Sequence, residues 1–176
     1  FDRSYSSRRV EEGAAIFERW KRLDILVGNA AILGSLGPLP HIEIKTWTEL
    51  MDVNVTANWR LIRSLDPLLR ASDAGRVVFV TSGASRNFRA YWGGYAVTKA
   101  ALDALALTYA AECASTNVRV NLFNPGATRT AMRQKAMPGE DPMTLPAADE
   151  VAAQLVELVL PSYSENGQWM AFKRGG

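Results

Sequence analysis

Apolar and polar positions fall into blocks whose period changes along the chain. Residues 8 to 22 recur at helical spacing and end in the basic run Arg19-Trp20-Lys21-Arg22, and the run LDILVGNA, 23 to 30, reads as a short buried strand. A Gly/Pro-rich loop, AILGSLGPLPH, leads to a helix expected to open on the capping pair Thr46 and Glu49 and to run to about residue 71. Pro67 lies inside it and is expected to bend it or end it early. GRVVFVTS, 75 to 82, is an unbroken apolar run bounded by Gly and Ser, the pattern of a strand covered on both faces, and a loop follows to about residue 90. Small and apolar residues then recur at helical spacing over 91 to 114, and VRVNLFNPG, 118 to 126, reads as a strand closed by Pro-Gly. Pro138, Pro142 and Pro146, with Met132, Met137 and Met143 among them, mark 127 to 146 as a flexible segment. A helix over 147 to 160 and a short strand near 168 to 172 complete the chain. Because helix and strand alternate, and parallel neighbours need crossover connections, the expected architecture is an α/β domain with a parallel sheet and helices on both faces. With no internal repeat and no linker, residues 1 to 176 read as a single domain.

Composition narrows the classes. Of 176 residues, 48% are apolar and 22% charged, enough to bury a real core. Twenty Lys plus Arg against eighteen Asp plus Glu leave a net charge of +2, and the basic residues are scattered, which speaks against nucleic-acid and membrane-surface partners. Cys113 has no second cysteine to pair with, and its place on a helix suggests a buried thiol. His41 is the sole histidine, sits in a proline-rich turn and excludes a His-rich zinc site. Glu49 and Asp52 read as a wet helical face, not as a catalytic carboxylate pair. No stretch reaches the roughly 18 apolar residues of a membrane span, and the first twenty residues lack a signal-peptide core, so a cytoplasmic protein is expected.

Candidate chemistry gathers at the strand ends. Tyr95 and Lys99 stand four residues apart, on one face of the 91 to 114 helix. An ammonium beside a phenol favours the phenolate and is expected to lower the tyrosine pKa, fitting Tyr95 to exchange a proton with a hydroxyl or carbonyl oxygen. Ser82 stands at the carboxyl end of a strand, where ligands bind in open α/β sheets, and its hydroxyl suits a substrate oxygen. Asn29 ends the first strand, Asn54 lies in the second helix, and Asn124-Pro125-Gly126 ends the third strand. Each asparagine taken singly reads equally well as a turn or cap residue.

The ordered set Asn29-Ala30-Ala31, Asn54, Ser82, Tyr95-Ala-Val-Thr-Lys99 and Pro125-Gly126-Ala127-Thr128-Arg129-Thr130 resembles the short-chain dehydrogenase/reductase family, in particular a bacterial branch, from Leu23 onward. The resemblance implies a Rossmann-type doubly wound sheet and NAD or NADP as cofactor. It implies hydride transfer between the cofactor and a small-molecule carbonyl or alcohol substrate. Tyr95 would be the general acid or base, Lys99 would tune it and hold the nicotinamide ribose, and Ser82 would polarise the substrate oxygen. Asn54 would anchor a proton-relaying water. Asn29 and Ala30 would sit beside the cofactor, Pro125 and Gly126 would bring backbone to the nicotinamide, Thr128 would meet its carboxamide and Thr130 its pyrophosphate.

Similar proteins form dimers and tetramers through helices matching 46 to 71 and 91 to 114, where Trp59, Leu61, Leu102, Leu105 and Tyr109 supply apolar material. The segment after Thr130 corresponds to the family's substrate lid, and Arg86, Arg89 and Trp92 flank the site. Gly28-Asn29-Ala30-Ala31 stands where the family has Asn-Asn-Ala-Gly, and Thr128 replaces a branched aliphatic residue. The family's opening glycine-rich turn has no counterpart, since Gly13 is the only glycine before Gly28. The expected fold is therefore the later four of the usual seven strands, with an uncovered edge on the 23 to 30 strand. The alternative reading is a truncated, noncatalytic interaction protein unable to bind the dinucleotide.

Overall fold

The computed structural model of the chain describes residues 15–174. Four strands, β1 (Ile25–Gly28), β2 (Arg76–Val80), β3 (Arg119–Asn124) and β4 (Trp169–Ala171), form one sheet in the order β1-β2-β3-β4, every pair parallel. Between them run α1 (Ile44 to Arg70), the short α2 (Ala84–Asn87), the long α3 (Gly93–Glu112), the short α4 (Ala131–Ala136) and α5 (Ala148–Glu157). Such crossovers are what parallel neighbours require, and the later part of a doubly wound sheet results. The expected first helix lies partly outside the described residues, and the part described is helical over 15–20.

Alternation along β2 divides the core. Val77 and Phe79 face one side with Leu65, Leu69, Leu102, Ala106 and Tyr109 from α1 and α3, while Val78 faces the other with Phe123, Val151 and Leu158. Both sides are covered, which is why β2 reads as a continuous apolar run. Among the described residues β1 is the first strand of the sheet, with Ile25 and Val27 partly exposed.

Local details depart from the sequence reading where a side chain finds another partner. α1 begins at Ile44, and its N-terminal turn closes through Trp47 N donating to Glu43 O at 2.9 Å, with no side-chain cap from Thr46 or Glu49. Pro67 stays inside the helix, which runs on to Arg70, at the cost of the one bond its missing N–H would have made to the carbonyl four residues earlier. A π-helical turn, Asp52–Thr56, interrupts α1, its wider hydrogen bond running from Ala57 N to Asp52 O. The segment 127 to 146 is structured, contrary to expectation. Thr130 Oγ1 caps α4 by accepting from Arg133 N at 3.2 Å, Asp141 caps a 3-10 turn over Pro142–Thr144, and Arg133 grips Glu140 with two bonds of 2.6 and 2.7 Å.

Gly28 has a steric reason. A Cβ there would overlap the Phe79 ring and the Asn58 amide oxygen, so β1 approaches its neighbours through a missing side chain. Filling that space with Phe79 is what makes glycine obligatory at this end of β1.

Candidate active site

The site lies beyond the carboxyl ends of β1, β2 and β3. Small residues at the start of α3, Gly93, Gly94 and Ala96, let that helix approach closely, and Tyr95 and Lys99 occupy its first two turns. Tyr95 is buried, its ring edge-on to Trp92 at 6.1 Å between centroids, with the Ser82 hydroxyl near enough to its phenol to favour the phenolate. Lys99 is 2% exposed; its Nζ donates to Val80 O at 2.8 Å and lies 5.8 Å from the Tyr95 ring centroid. Two of its three protons are thus left for other acceptors.

The electrostatic balance differs from the one expected. Burial pushes the Tyr95 phenol above its ordinary value, and the bond from Ser82 is what works against that rise. Burial likewise pulls Lys99 down to about 8, opposed by the negative charge of Asp103. Desolvation wins at both groups because neither has an ion-pair partner in direct contact, and Lys99 is held by a neutral carbonyl.

Asn29, Ala30, Ser82, Tyr95, Lys99, Pro125, Gly126, Thr128 and Thr130 all line one cavity of about 780 Å³. Asn54 does not. Its Oδ1 accepts from Ile32 N at 2.8 Å and its Nδ2 donates to Ile32 O and Thr98 Oγ1, both at 2.9 Å. Its backbone carbonyl accepts from Asn58 Nδ2 at 2.9 Å. These bonds pin the chain at Ile32 to α1 and α3, and the Asn54 carbonyl keeps a second lone pair beside the one that Asn58 uses. Of the flanking residues, Trp92 and Met132 line the cavity. Arg86 stacks on Trp169 at 4.1 Å, while Arg89, Met143 and His41 are exposed.

Two more polar residues organise the site, Asn124, noted in the sequence only as a strand-end asparagine, and Asp103, which escaped the sequence reading. Asn124 Oδ1 accepts from Gly83 N at 3.1 Å and from Gly126 N at 3.0 Å, joining the loop after Ser82 to the Pro125-Gly126 turn. Asp103 is buried behind Ser82 and gathers donors from Thr81, Ser85 and Trp169. Its signal was an acid four residues beyond Lys99 on an otherwise small and apolar helical face. Among the described residues no cluster fit to hold a metal ion occurs, and no helix is long and apolar enough to cross a membrane.

This arrangement can hold an oxygen between a serine and a tyrosine with a lysine behind them. A profile of the short chain dehydrogenase family matches residues 5–141. The chain belongs to that family. It is 44% identical over 126 residues to an uncharacterized oxidoreductase, YciK, of Escherichia coli strain K12, covering 72% of this chain and 50% of that protein. A solved short chain dehydrogenase from Salmonella enterica serovar Typhi superimposes with a TM-score of 0.91 at 35% identity, covering 94% of this chain and 69% of that one. Another from Escherichia coli CFT073, solved with NADPH, superimposes with a TM-score of 0.89 at 36% identity and the same coverage. The chain thus spans half the length of the first of these short chain dehydrogenase relatives.

Proposed function

We propose that the chain carries the substrate-side half of an NAD(P)-dependent oxidoreductase acting on a carbonyl or alcohol, with Ser82, Tyr95 and Lys99 in direct contact with the reacting groups and Asn54 holding the adjoining loop. The gathering of Ser82, Tyr95 and Lys99 in one cavity, with the Lys99 ammonium 5.8 Å from the Tyr95 ring centre, is the observation that supports this reading most directly.

The lining suits a nicotinamide cofactor. Ala30, Ala31 and Gly126 form a low wall, and a Cβ at Gly126 would meet nothing within 4 Å, leaving backbone open to a flat ring. Lys99 would offer its two remaining protons to ribose hydroxyls, Asn29 would sit beside the ring, and Thr128 and Thr130 would face the amide and phosphate groups. The bound cofactor would supply or accept the hydride. In reduction Tyr95 Oη–H gives its proton to the carbonyl oxygen, which becomes the alcohol hydroxyl, while Ser82 donates a hydrogen bond to that oxygen as charge develops on it. The phenolate left behind is stabilised by Ser82 and by the Lys99 ammonium. The reverse sequence oxidises an alcohol.

The charged residues lining the cavity, Lys99 and Arg133, are both committed, to Val80 O and to Glu140. With Arg133 forked onto Glu140 and the two remaining Lys99 protons turned to the cofactor ribose, neither lining cation is left for a substrate carboxylate or phosphate, which favours a neutral carbonyl compound with Trp92, Leu33 and Met132 against its apolar part. As in its family, the protein would work in the cytoplasm as a homodimer or homotetramer. Leu102 and Tyr109 pack into the core, but Trp59, Val97 and Leu107 keep 44, 41 and 39% of their surface outward on α1 and α3 and supply that contact. The test is titration with NADPH and NADH, then loss of reduced cofactor in the presence of neutral ketones, for this chain and for a form extended at its N-terminus. Binding and turnover are expected in the extended form. If neither form binds cofactor, the proposal fails.

A further inference from the structure

We propose that Asp103 is the positioning residue that holds Ser82 at the Tyr95 hydroxyl, acting from behind the cavity through the two residues that bracket the serine. The inference rests on the catalytic reading of Ser82 given above. Asp103 is 8% exposed and lines no part of the cavity, so contact with substrate is not its task.

Its carboxylate collects donors from three different elements. Thr81 Oγ1, at the end of β2, donates to Asp103 Oδ1. Trp169 Nε1, on β4, donates to Oδ2 at 3.1 Å. Ser85 Oγ, on α2, lies 2.7 Å from Oδ2 and 2.8 Å from Ser82 O, so its one proton stands between the two acceptors. Ser85 N also donates to Ser82 O at 3.0 Å, and Ala84 N to Ser82 Oγ at 3.2 Å. Ser82 is therefore held from both sides of the chain by groups that end on one buried acid. The acid is fixed to α3, the helix that carries Tyr95 and Lys99, so nucleation of the turn and placement of the phenol share one rigid support.

The charged groups near the carboxylate are Lys99, one turn earlier on the same helix, and Arg86, which stacks on Trp169 from α2. Facing Lys99 in turn are Tyr95, Asp103 and the Val80 carbonyl. A carboxylate is demanded because three donors point at one side chain. An asparagine of nearly the same shape would turn an NH2 group toward one of those donors and leave it unpaired.

Asp103→Asn tests this directly. The amides of Ala84 and Ser85, which close the turn on Ser82, are expected to exchange with solvent at least about tenfold faster, while Leu26 in β1 is unchanged. In the active enzyme kcat is expected to fall about 10- to 100-fold with KM within about threefold, since a displacement near 1 Å costs that order. Asp103→Glu should recover part of both effects, and the Lys99 13Cε resonance should titrate at lower pH in Asp103→Asn. Unaltered exchange, or kcat and KM moving together, overturns the proposal. Should Asp103→Asn fail to fold, the double variant Thr81→Val, Ser85→Ala removes two donors and leaves the acid on Trp169, with the same outcomes expected. Exchange needs no turnover: acceleration in a wild-type protein that transfers no hydride would sustain the placement and remove the catalytic reading, and unchanged exchange in an active enzyme would do the reverse.

Discussion

Replacing Lys99 with methionine removes a buried ammonium whose proton the folded protein holds less tightly than the unfolded chain does. Burial lowers its pKa from 10.5 to about 8. Between those values the unfolded chain binds more protons than the native one, so stability rises with pH across that window. The contribution is a penalty, fully present below pH 8 and relieved as the native lysine deprotonates. At about 1.36 kcal/mol per unit the full span is about 3 kcal/mol, of which about 2 kcal/mol is recovered between roughly pH 7 and 9.5. Other groups act in the opposite sense: burial raises Cys113, Tyr95 and Tyr109, each of which costs stability as the unfolded chain loses that proton first. The measurement must therefore be a difference. Urea unfolding of the wild type and of Lys99→Met at intervals from pH 7 to 9.5 should show the gap between them narrowing in favour of the wild type by about 2 kcal/mol. Parallel curves would show that Lys99 is not desolvated as its surroundings require, and the electrostatic account of the site would fall with it.

Three further outcomes are expected. Tyr95→Phe should lower kcat by at least about 100-fold while leaving NADPH affinity within about threefold, because the proton donor is lost and the wall of the cavity is kept; unchanged kcat would move the acid elsewhere. Gly28→Ala should cost about 1–3 kcal/mol in urea unfolding, since the new methyl group must displace Phe79 or Asn58, and an unchanged midpoint would mean that β1 yields. Arg133→Met should speed proteolytic cleavage within residues 131 to 141 about tenfold without shifting the global midpoint, because the fork to Glu140 is what closes that segment. Acidification should act likewise only below the ordinary carboxylate range, as Arg133 holds Glu140 below it.

The fold was legible where one strong pattern dominated. The continuous apolar run at Val77–Phe79 marked a covered strand, Val120, Leu122 and Phe123 around a single asparagine marked another, and the i, i+4 spacing of Tyr95 and Lys99 placed two candidate side chains on one helical face. What could not be read depended on partners distant in the chain. Thr46 and Glu49 carry the residue types of a cap, yet Glu43 takes that place. The prolines after Thr130 signalled looseness, but a single Arg133–Glu140 fork orders the segment, and local composition is blind to a pairing seven residues apart across a turn. Asn54 announced a polar role without its direction, because whether an amide meets water or backbone depends on where Ile32 passes. The lowering of the Tyr95 pKa failed for a related reason: spacing reports which charge is near, while burial reports how much water both groups have lost.

The wide turn at residues 52 to 56 has an evolutionary consequence. Shortening it by one residue would give α1 uninterrupted α-helical pairing, a local improvement, and because a π turn takes up one extra residue within a single turn, the helix beyond it would keep its facing. Leu65, Leu68 and Leu69 would stay on the core side, but the Asn54 amide, inside the turn, would leave the backbone of Ile32 and the Thr98 hydroxyl. Single-residue deletions in this stretch should consequently be selected against for the loop they release beside the cavity, however favourable they look to a helix considered alone.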